Sequence, residues 1–180
     1  MNDRKSWSIK DEAILDDLVK LTNLTTAEKE ILAGLQQTAQ TFAPSLSEAF
    51  YQRLQAHPLT AEYVSGQIDD RKKTLETWFI ELFSGDYGPE YIQQRLQIGR
   101  IHVYIGLPIR YPLAMIDLIT EIGAKVAATS SQPDQAMQAF RKLLALDIAI
   151  FNQAYEDTQL SHLIESMGNE RLARRILTQG

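Results

Sequence analysis

The sequence contains no cysteine among its 180 residues. Disulfide bonds, thiolate metal sites and cysteine nucleophiles are therefore excluded, and the absence fits a reducing compartment. Basic charge is also in short supply, because 18 lysines and arginines stand against 23 aspartates and glutamates and leave a net charge of −5. An acidic chain is a poor partner for nucleic acid or for an anionic membrane surface, so neither partner is expected.

Long apolar runs are missing as well. No run is long enough to cross a bilayer, and residues 1–6 are polar and lack the apolar core of a signal peptide. We therefore expect a cytoplasmic protein without a membrane partner. The composition, 44% hydrophobic and 23% charged, is typical of a soluble domain with a substantial buried core.

The common catalytic patterns are absent from the sequence. It has no His-Glu-x-x-His motif, no paired histidines and no carboxylate cluster with metal-ligand spacing. It also lacks a glycine-rich phosphate loop and a nucleophile elbow around any serine. Nothing indicates hydrolysis or phosphoryl transfer, so this chain is not expected to be an enzyme in itself.

Apolar residues recur at helical spacing along the whole chain, and no segment alternates as a strand does. This pattern predicts an all-α domain of about seven helices. Thr25 and Glu28 form a capping box at the start of the second helix, and Pro44 suits the first turn of the third. The helices are predicted over about residues 10–21, 25–42, 44–58, 68–85, 90–105 and 112–129, and from 135 to 155 or beyond.

The last part of the sequence differs from the rest. Residues 156–180 are charged, their apolar positions are loosely spaced, and the pattern breaks near Gly168. We therefore expect a compact domain over residues 1–155, followed by a tail. The tail is either a frayed helical extension or the start of a linker to another domain.

One of the three histidines stands apart from the others. His57 is predicted at a helix end and His162 lies in the charged tail, so both are interpreted as structural or solvated. His102 instead shares a helical face with Ile98 and Ile105, which places its imidazole among apolar side chains.

Two interpretations of His102 are open from the residues alone. It is either a core histidine bonded to a backbone carbonyl or an axial ligand of haem iron, a common role of neutral imidazole. Gly99 and Gly106 also lie on its face and favour the second interpretation. They cost helix stability and remove bulk where a flat group could approach.

Residues 101–108, Ile-His-Val-Tyr-Ile-Gly-Leu-Pro, resemble a known motif. The proximal motif of the globin-coupled sensors, which are related to protoglobins, is similar to Ile-His-x-x-Ile-Gly-Leu-Pro. The resemblance extends over about residues 25–155. Its other landmarks are the pair Phe50 and Tyr51 on the third predicted helix and Trp78 on the fourth.

The resemblance implies a globin-like fold with an extra N-terminal helix and a bound b-type haem. It assigns the iron to His102 and a hydrogen bond to the gas ligand to Tyr51. It also implies a homodimer in which the last two long helices form a four-helix bundle. Both of those predicted helices are rich in apolar residues, although an intrachain core would account for this too.

Some pocket positions depart from the family pattern. Thr74 holds the place of a second polar distal residue, but Arg71 stands where an apolar residue is common and either faces the ligand or pairs with a haem propionate. Tyr111 follows the motif and either packs beneath the haem or orients the His102 ring. The residues expected to hold the haem are Phe50, Tyr51, Leu54, Arg71, Thr74, Leu75, Trp78, Ile98, His102, Ile105 and Tyr111.

The expected function is that of a haem-based sensor of O₂, with CO and NO as further ligands. A C-terminal output domain is implied, most often a diguanylate cyclase and sometimes a histidine kinase or chemotaxis transducer. One alternative is a haem-free regulatory scaffold, against which His102 argues because a scaffold needs no iron ligand. Another is a free-standing globin that converts nitric oxide with a separate reductase.

Overall fold

A computed structural model describes residues 12–64, 66 and 68–179 of the chain. These residues form helices and no strand, which confirms the all-α prediction. The described helices are α1 (Glu12–Thr22), α2 (Thr26–Ala33), α3 (Gln36–Ala56), α4 (Pro58–Val64), α5 (Ile68–Glu81), α6 (Pro89–Tyr104), α7 (Arg110–Ala114), α8 (Ile116–Ala127), α9 (Pro133–Met167) and α10 (Glu170–Gln179). The start of the first predicted helix and residues 1–11 of the predicted domain lie outside the described residues.

The boundary between the second and third predicted helices is wrong. The capping box of Thr25 and Glu28 is present, with both of its hydrogen bonds formed. However, α2 ends at Ala33, and α3 then runs through Pro44, which was predicted to begin a helix. Proline removes one intrahelical hydrogen bond. The buried side chains on both sides of it, among them Ala39 and Leu46, keep α3 packed on the core despite that loss.

The chain turns sharply at His57 and Pro58. Pro58 ends α3 as predicted, but it also occupies the first turn of α4, a helix that the sequence pattern did not predict. The Thr60 hydroxyl donates to the Leu54 carbonyl oxygen at 2.5 Å and so joins the two helices. The corner therefore directs the chain towards α5 without a long loop.

The C-terminal half departs from the prediction in one place. The predicted helix 112–129 is divided at the buried Met115 into α7 and α8. The last predicted helix, expected to reach residue 155 or beyond, is α9, which spans 35 residues and ends before Gly168. Residues 156–167 thus continue α9, and the predicted break near Gly168 is confirmed.

The packing leaves an open space between two helices. Helix α3 packs on α5 and α8, and α9 packs on α2, α6 and α8. The core between them includes the stacked rings of Phe83 and Phe140, whose centroids are 5.3 Å apart. Between α5 and α6 lies an open cleft of about 570 Å³. No helix in the described part of the chain is long and apolar enough to span a bilayer.

Candidate functional site

The cleft between α5 and α6 contains three of the predicted site residues, Thr74, Trp78 and Ile98. His102 lies one turn after Ile98 on α6, and Arg71 lies about one turn before Thr74 on α5. The two helices thus carry predicted residues to facing walls. The full lining is Lys73, Thr74, Thr77, Trp78, Glu81, Gln93, Gln94, Arg95, Gln97 and Ile98.

The His102 imidazole is held in one orientation. Its Nδ1 is 2.7 Å from the Ile98 carbonyl oxygen, which can only accept a hydrogen bond, so Nδ1 carries the proton. The Phe151 ring packs edge-on against the imidazole, with centroids 5.3 Å apart. In the neutral ring Nε2 is therefore deprotonated, and it has no partner among the described residues. The carbonyl bond of the core interpretation is present, yet it leaves Nε2, the nitrogen that would bind iron, without a protein partner.

The surroundings of His102 favour its neutral form. Burial lowers the pKa of the imidazole below its ordinary value of 6.5, and the charge of Arg71 lowers it further. The hydrogen bond to Ile98 opposes this change only in part. A neutral imidazole is the form that binds a metal ion, so the side chain is ready to act as a ligand near neutral pH.

Tyr51 points into the protein from α3. Its side chain is 8% exposed, and Phe50 packs edge-on against it with ring centroids 5.6 Å apart. Burial raises the pKa of the hydroxyl, and the charge of Arg71 opposes that rise. No hydrogen-bond partner of the hydroxyl lies among the described residues. A buried, protonated phenol with a free O–H is thus available as a donor.

Arg71 reaches both of these groups electrostatically. Its charge acts on the Tyr51 hydroxyl and on the His102 imidazole, although the three residues belong to α5, α3 and α6. One guanidinium nitrogen donates to the Tyr63 carbonyl oxygen near the end of α4, where a cation stabilises the helix terminus. The structure therefore brings the imidazole, the phenol and one cation to the same side of the protein.

Comparison with known proteins identifies the family of this chain. The family model of the protoglobins matches residues 11–161. The chain belongs to the protoglobin family. The haem-based aerotactic transducer HemAT of Halobacterium salinarum is 24% identical to it, over 89% of this chain and 36% of the transducer. The chain thus spans about a third of that relative's length.

Solved structures show the same fold. The globin domain of the Geobacter sulfurreducens globin-coupled sensor aligns with a TM-score of 0.73 and 25% identity, over 78% of this chain and 96% of that domain. The ferric globin domain of E. coli DosC aligns with a TM-score of 0.65 and 20% identity, over 78% and 99% of the two chains. The predicted sensor-globin fold is confirmed, whereas the dimeric bundle stays a prediction.

The two glycines beside His102 in this protoglobin domain have other roles than the one predicted. A Cβ on Gly99 would lie 2.5 Å from the Ala154 Cβ and 3.0 Å from the Phe151 carbonyl oxygen. Gly99 therefore allows α6 to approach α9, and the prediction that it makes room for a flat group is wrong. Gly106 has a φ of +70°, which favours glycine at the turn that follows α6.

The polar site residues Thr74 and Tyr111 form hydrogen bonds with groups close to them in the sequence. The Thr74 hydroxyl donates to the Asp70 carbonyl oxygen of its own helix at 3.0 Å. Tyr111 packs beside His57, and its hydroxyl accepts from Arg110 at 3.4 Å. The described contacts that orient the His102 ring come from Ile98 and Phe151, so the orienting role considered for Tyr111 is not seen. Its packing beneath a haem stays a prediction.

The apolar site residues line the region more loosely. Phe50, Leu54, Leu75 and Ile98 are half-buried, and Ile105 is 43% exposed at the end of α6. Of these residues, Ile98 lines the cleft between α5 and α6. Their predicted contacts with a cofactor stay predictions.

Sequence reasoning missed a buried charged cluster at the inner end of the cleft. Asp147 on α9 accepts hydrogen bonds from Arg95 Nε at 2.7 Å, from Tyr91 Oη at 2.5 Å and from Trp78 Nε1 at 3.2 Å. Arg95 Nη1 also pairs with Glu81 at 2.5 Å. A usable signal was present, because Asp147 is the only charged residue in the apolar stretch 143–151.

The donor set fits a haem group. Haem iron in globins takes one proximal imidazole, and His102 offers a neutral ring with a free Nε2. Tyr51, a buried residue on α3, offers an O–H donor, and the charge of Arg71 acts on both side chains. No group of three or more histidine or acidic side chains that could hold a bare metal ion occurs among the described residues. The residues therefore suit an iron ion carried by a macrocycle better than a free ion.

Proposed function

We propose that this protoglobin domain binds b-type haem through His102 and senses a diatomic gas. The observation that carries the proposal is the His102 ring, whose Nδ1 is bonded to the Ile98 carbonyl and whose Nε2 has no partner in the part of the chain that the structure describes. The curated relative is described as a haem-based transducer, and the matched DosC domain was solved in ferric and ferrous forms. Both descriptions support iron chemistry at the equivalent place in this fold.

Two residues of this chain would act on the haem, one by holding its iron and the other by contacting the gas ligand. An iron ion held by His102 would supply an open coordination position for O₂, CO or NO. Tyr51 would donate a hydrogen bond to a polar gas ligand and discriminate against CO, because CO accepts hydrogen bonds poorly. Such a bond in a buried pocket contributes about 1 to 3 kcal/mol, or roughly one to two powers of ten in affinity.

The remaining pocket residues would shape the two faces of the haem. Thr74 and Leu75 on α5, with Phe50 and Leu54 on α3, would line the distal face, and Trp78 would close its inner end. Ile98, Ile105 and Tyr111 would lie on the proximal face. Arg71 would either add positive charge beside the gas ligand or release Tyr63 and pair with a propionate.

The signal would pass to a domain beyond this chain. We propose that the domain is homodimeric through α8 and α9 and that an output domain follows residues 156–180, with a diguanylate cyclase as the favoured output. The relative's description as an aerotactic transducer supports the chemotaxis alternative. A cyclase assay and a receptor-coupling assay on the longer protein would separate the two outputs.

The decisive experiment is the absorption spectrum of purified, haem-supplied protein. We expect an intense Soret band that shifts when O₂ or CO is added to the ferrous form. His102→Ala should abolish stable haem binding, whereas His162→Ala, an exposed histidine on α9, should leave the spectrum unchanged. Normal spectra in His102→Ala would refute the ligand assignment.

The same samples test the alternative functions. A colourless protein that refuses haem would favour the haem-free scaffold. Rapid turnover of nitric oxide to nitrate with a supplied reductant would favour the free-standing globin. Reversible gas binding without turnover is the result that the sensor proposal requires.

A further inference from the structure

Asp147 is a buried carboxylate that joins three helices. It is 4% exposed in the middle of α9, between fully buried Leu146 and Ile150. It receives hydrogen bonds from Trp78 on α5 and from Arg95 on α6. A charged group needs such partners when it is removed from water, so the three helices meet at a point where none of them can shift freely.

Arg95 links α6 to both α9 and α5. Its side chain is 1% exposed, and its guanidinium is shared between Asp147 on α9 and Glu81 on α5. The guanidinium carbon also lies 4.1 Å from the centre of the Tyr91 ring. If α6 slid along α9, Arg95 and Asp147 would separate inside the protein and leave the buried Asp147 carboxylate without a cation. The pair therefore fixes the register of α6 on α9.

The same face of α6 carries His102. Arg95 contacts Asp147, Gly99 lies against the Phe151 backbone, and His102 packs against the Phe151 ring. The three α6 residues are four and three positions apart, so they form one stripe along the helix. This stripe and its partners on α9 are called the α6–α9 seam below.

We propose that Arg95 and Asp147 are positioning residues that couple His102 to α9. By holding the α6–α9 seam in register, they transmit a displacement of His102 to α9 instead of letting α6 slide past it. From Asp147, α9 runs on to Met167, about 30 Å at 1.5 Å per residue. The inference rests on the proposed function only in requiring that His102 holds the haem iron.

The rival role for the pair is structural stabilisation alone. In that case, loss of the pair would lower stability and haem affinity, yet the folded fraction would still respond to a gas ligand along α9. A positioning role predicts a specific loss of that response while α6 still reacts. The two roles therefore predict different results for a variant that lacks the pair. If the pair only stabilises the fold, α9 still responds to the gas ligand, and if the pair positions α6 on α9, only α6 responds.

Hydrogen exchange of the full haem-loaded chain, in the ferrous form with and without CO, tests the coupling. We expect CO to change the exchange of amides in both α6 and α9. In Asp147→Asn, which keeps the size but removes the charge, we expect the change in α6 to persist and the change in α9 to be lost. The matched control is Asp117→Asn, the same substitution in the exposed Arg53–Asp117 ion pair, and it should behave like the wild type.

A second variant covers the case in which Asp147→Asn does not fold. The double variant Arg95→Met with Asp147→Leu removes both fully buried charges, and Glu81, which loses its partner, has a side chain that is 31% exposed to water. It should fold, bind haem and show no response of α9 to CO. Failure of this double variant to fold would make the pair a stability element and overturn the proposal.

Two other results would also overturn the coupling. One is an α9 response to CO in Asp147→Asn equal to that of the wild type. The other is a wild-type protein that binds CO without any change in α9. A wild-type protein with no Soret band would instead refute the proposed function, so the two failures are distinguishable.

Discussion

At the scale of single residues, the site depends on two polar groups that have no protein partner in the described part of the chain. His102 uses one nitrogen for the Ile98 carbonyl, and its Nε2, like the Tyr51 hydroxyl, makes no hydrogen bond there. Neither atom is fully enclosed by the protein, so both stay accessible. A ligand that entered beside them would therefore complete their bonding.

Tyr51→Phe tests the donor directly. The phenyl ring fills nearly the same volume, so the fold should be kept and only the O–H is lost. We expect O₂ to leave the ferrous haem protein about 10 to 100 times faster, with a smaller change for CO. Stopped-flow measurement of both dissociation rates provides the check.

The control for this variant is Tyr104→Phe, because Tyr104 is 91% exposed at the end of α6. It makes the same chemical change on the same protein without touching the buried region. An O₂ dissociation rate in Tyr51→Phe that matches the wild type would exclude Tyr51 as the main donor.

At the scale of elements, α6 is shaped by its contact with α9. One face of α6 meets α9 through Arg95, Gly99 and His102, and the opposite side borders the cleft with Gln94 and Gln97. Tyr155 on α9 also donates to the Leu107 carbonyl oxygen at 3.0 Å, just after α6 ends. The helix that carries His102 is thus held along its length and at its end.

Gly99→Ala tests the close approach of the two helices. The added methyl group would lie 2.5 Å from the Ala154 Cβ and 3.0 Å from a backbone oxygen, neither of which is a flexible chain end. We expect a loss of about 1 to 3 kcal/mol in the free energy of unfolding, which outweighs the gain of about 1 kcal/mol in helix propensity. Urea unfolding followed by circular dichroism measures it.

Gly34→Ala is the matched control, since a Cβ there meets backbone oxygens only at 3.5 and 3.6 Å, in ordinary contact. Its stability should equal or slightly exceed that of the wild type. Equal stabilities of Gly99→Ala and the wild type would contradict the close packing of α6 on α9.

At the scale of the whole molecule, the apolar surface of the C-terminal helices bears on whether the domain forms a dimer. The dimeric bundle of the last long helices was predicted mainly from the family resemblance, and an intrachain core was the other explanation for their apolar faces. Much of that surface is buried within one chain, including Leu118 and Ile122 on α8 and Leu143 on α9. Exposed apolar side chains occur on α10, where Leu172 and Ile176 face outward. Burial inside the chain thus explains part of the pattern without a partner.

Sedimentation velocity at micromolar concentration tests the dimer. We expect a single species of twice the chain mass that dissociates on dilution. The expectation follows from the proposed bundle of α8 and α9. A monomer at every concentration would remove the bundle and require the signal to leave through α9 of one chain.

Local patterns in the sequence were enough to determine several features. The spacing of apolar residues predicts the all-α class, and the capping box of Thr25 and Glu28 predicts where α2 begins. The motif around His102 indicated the family, which the match over residues 11–161 confirms. These features depend on residues close together in the chain, and neighbouring residues interact in the same way in any fold.

Only the tertiary structure decided the features that join distant residues. Pro44 stays inside α3 because the core holds both sides of it, and Gly99 is needed because Ala154 lies against it. Arg95 and Asp147 are separated by 52 positions in the sequence, and neither reveals its partner through local spacing. The features of His102 depend on both the local sequence and the tertiary structure. Its motif was visible in the sequence, but its free nitrogen follows from the bond to Ile98 and the packing of α6 on α9.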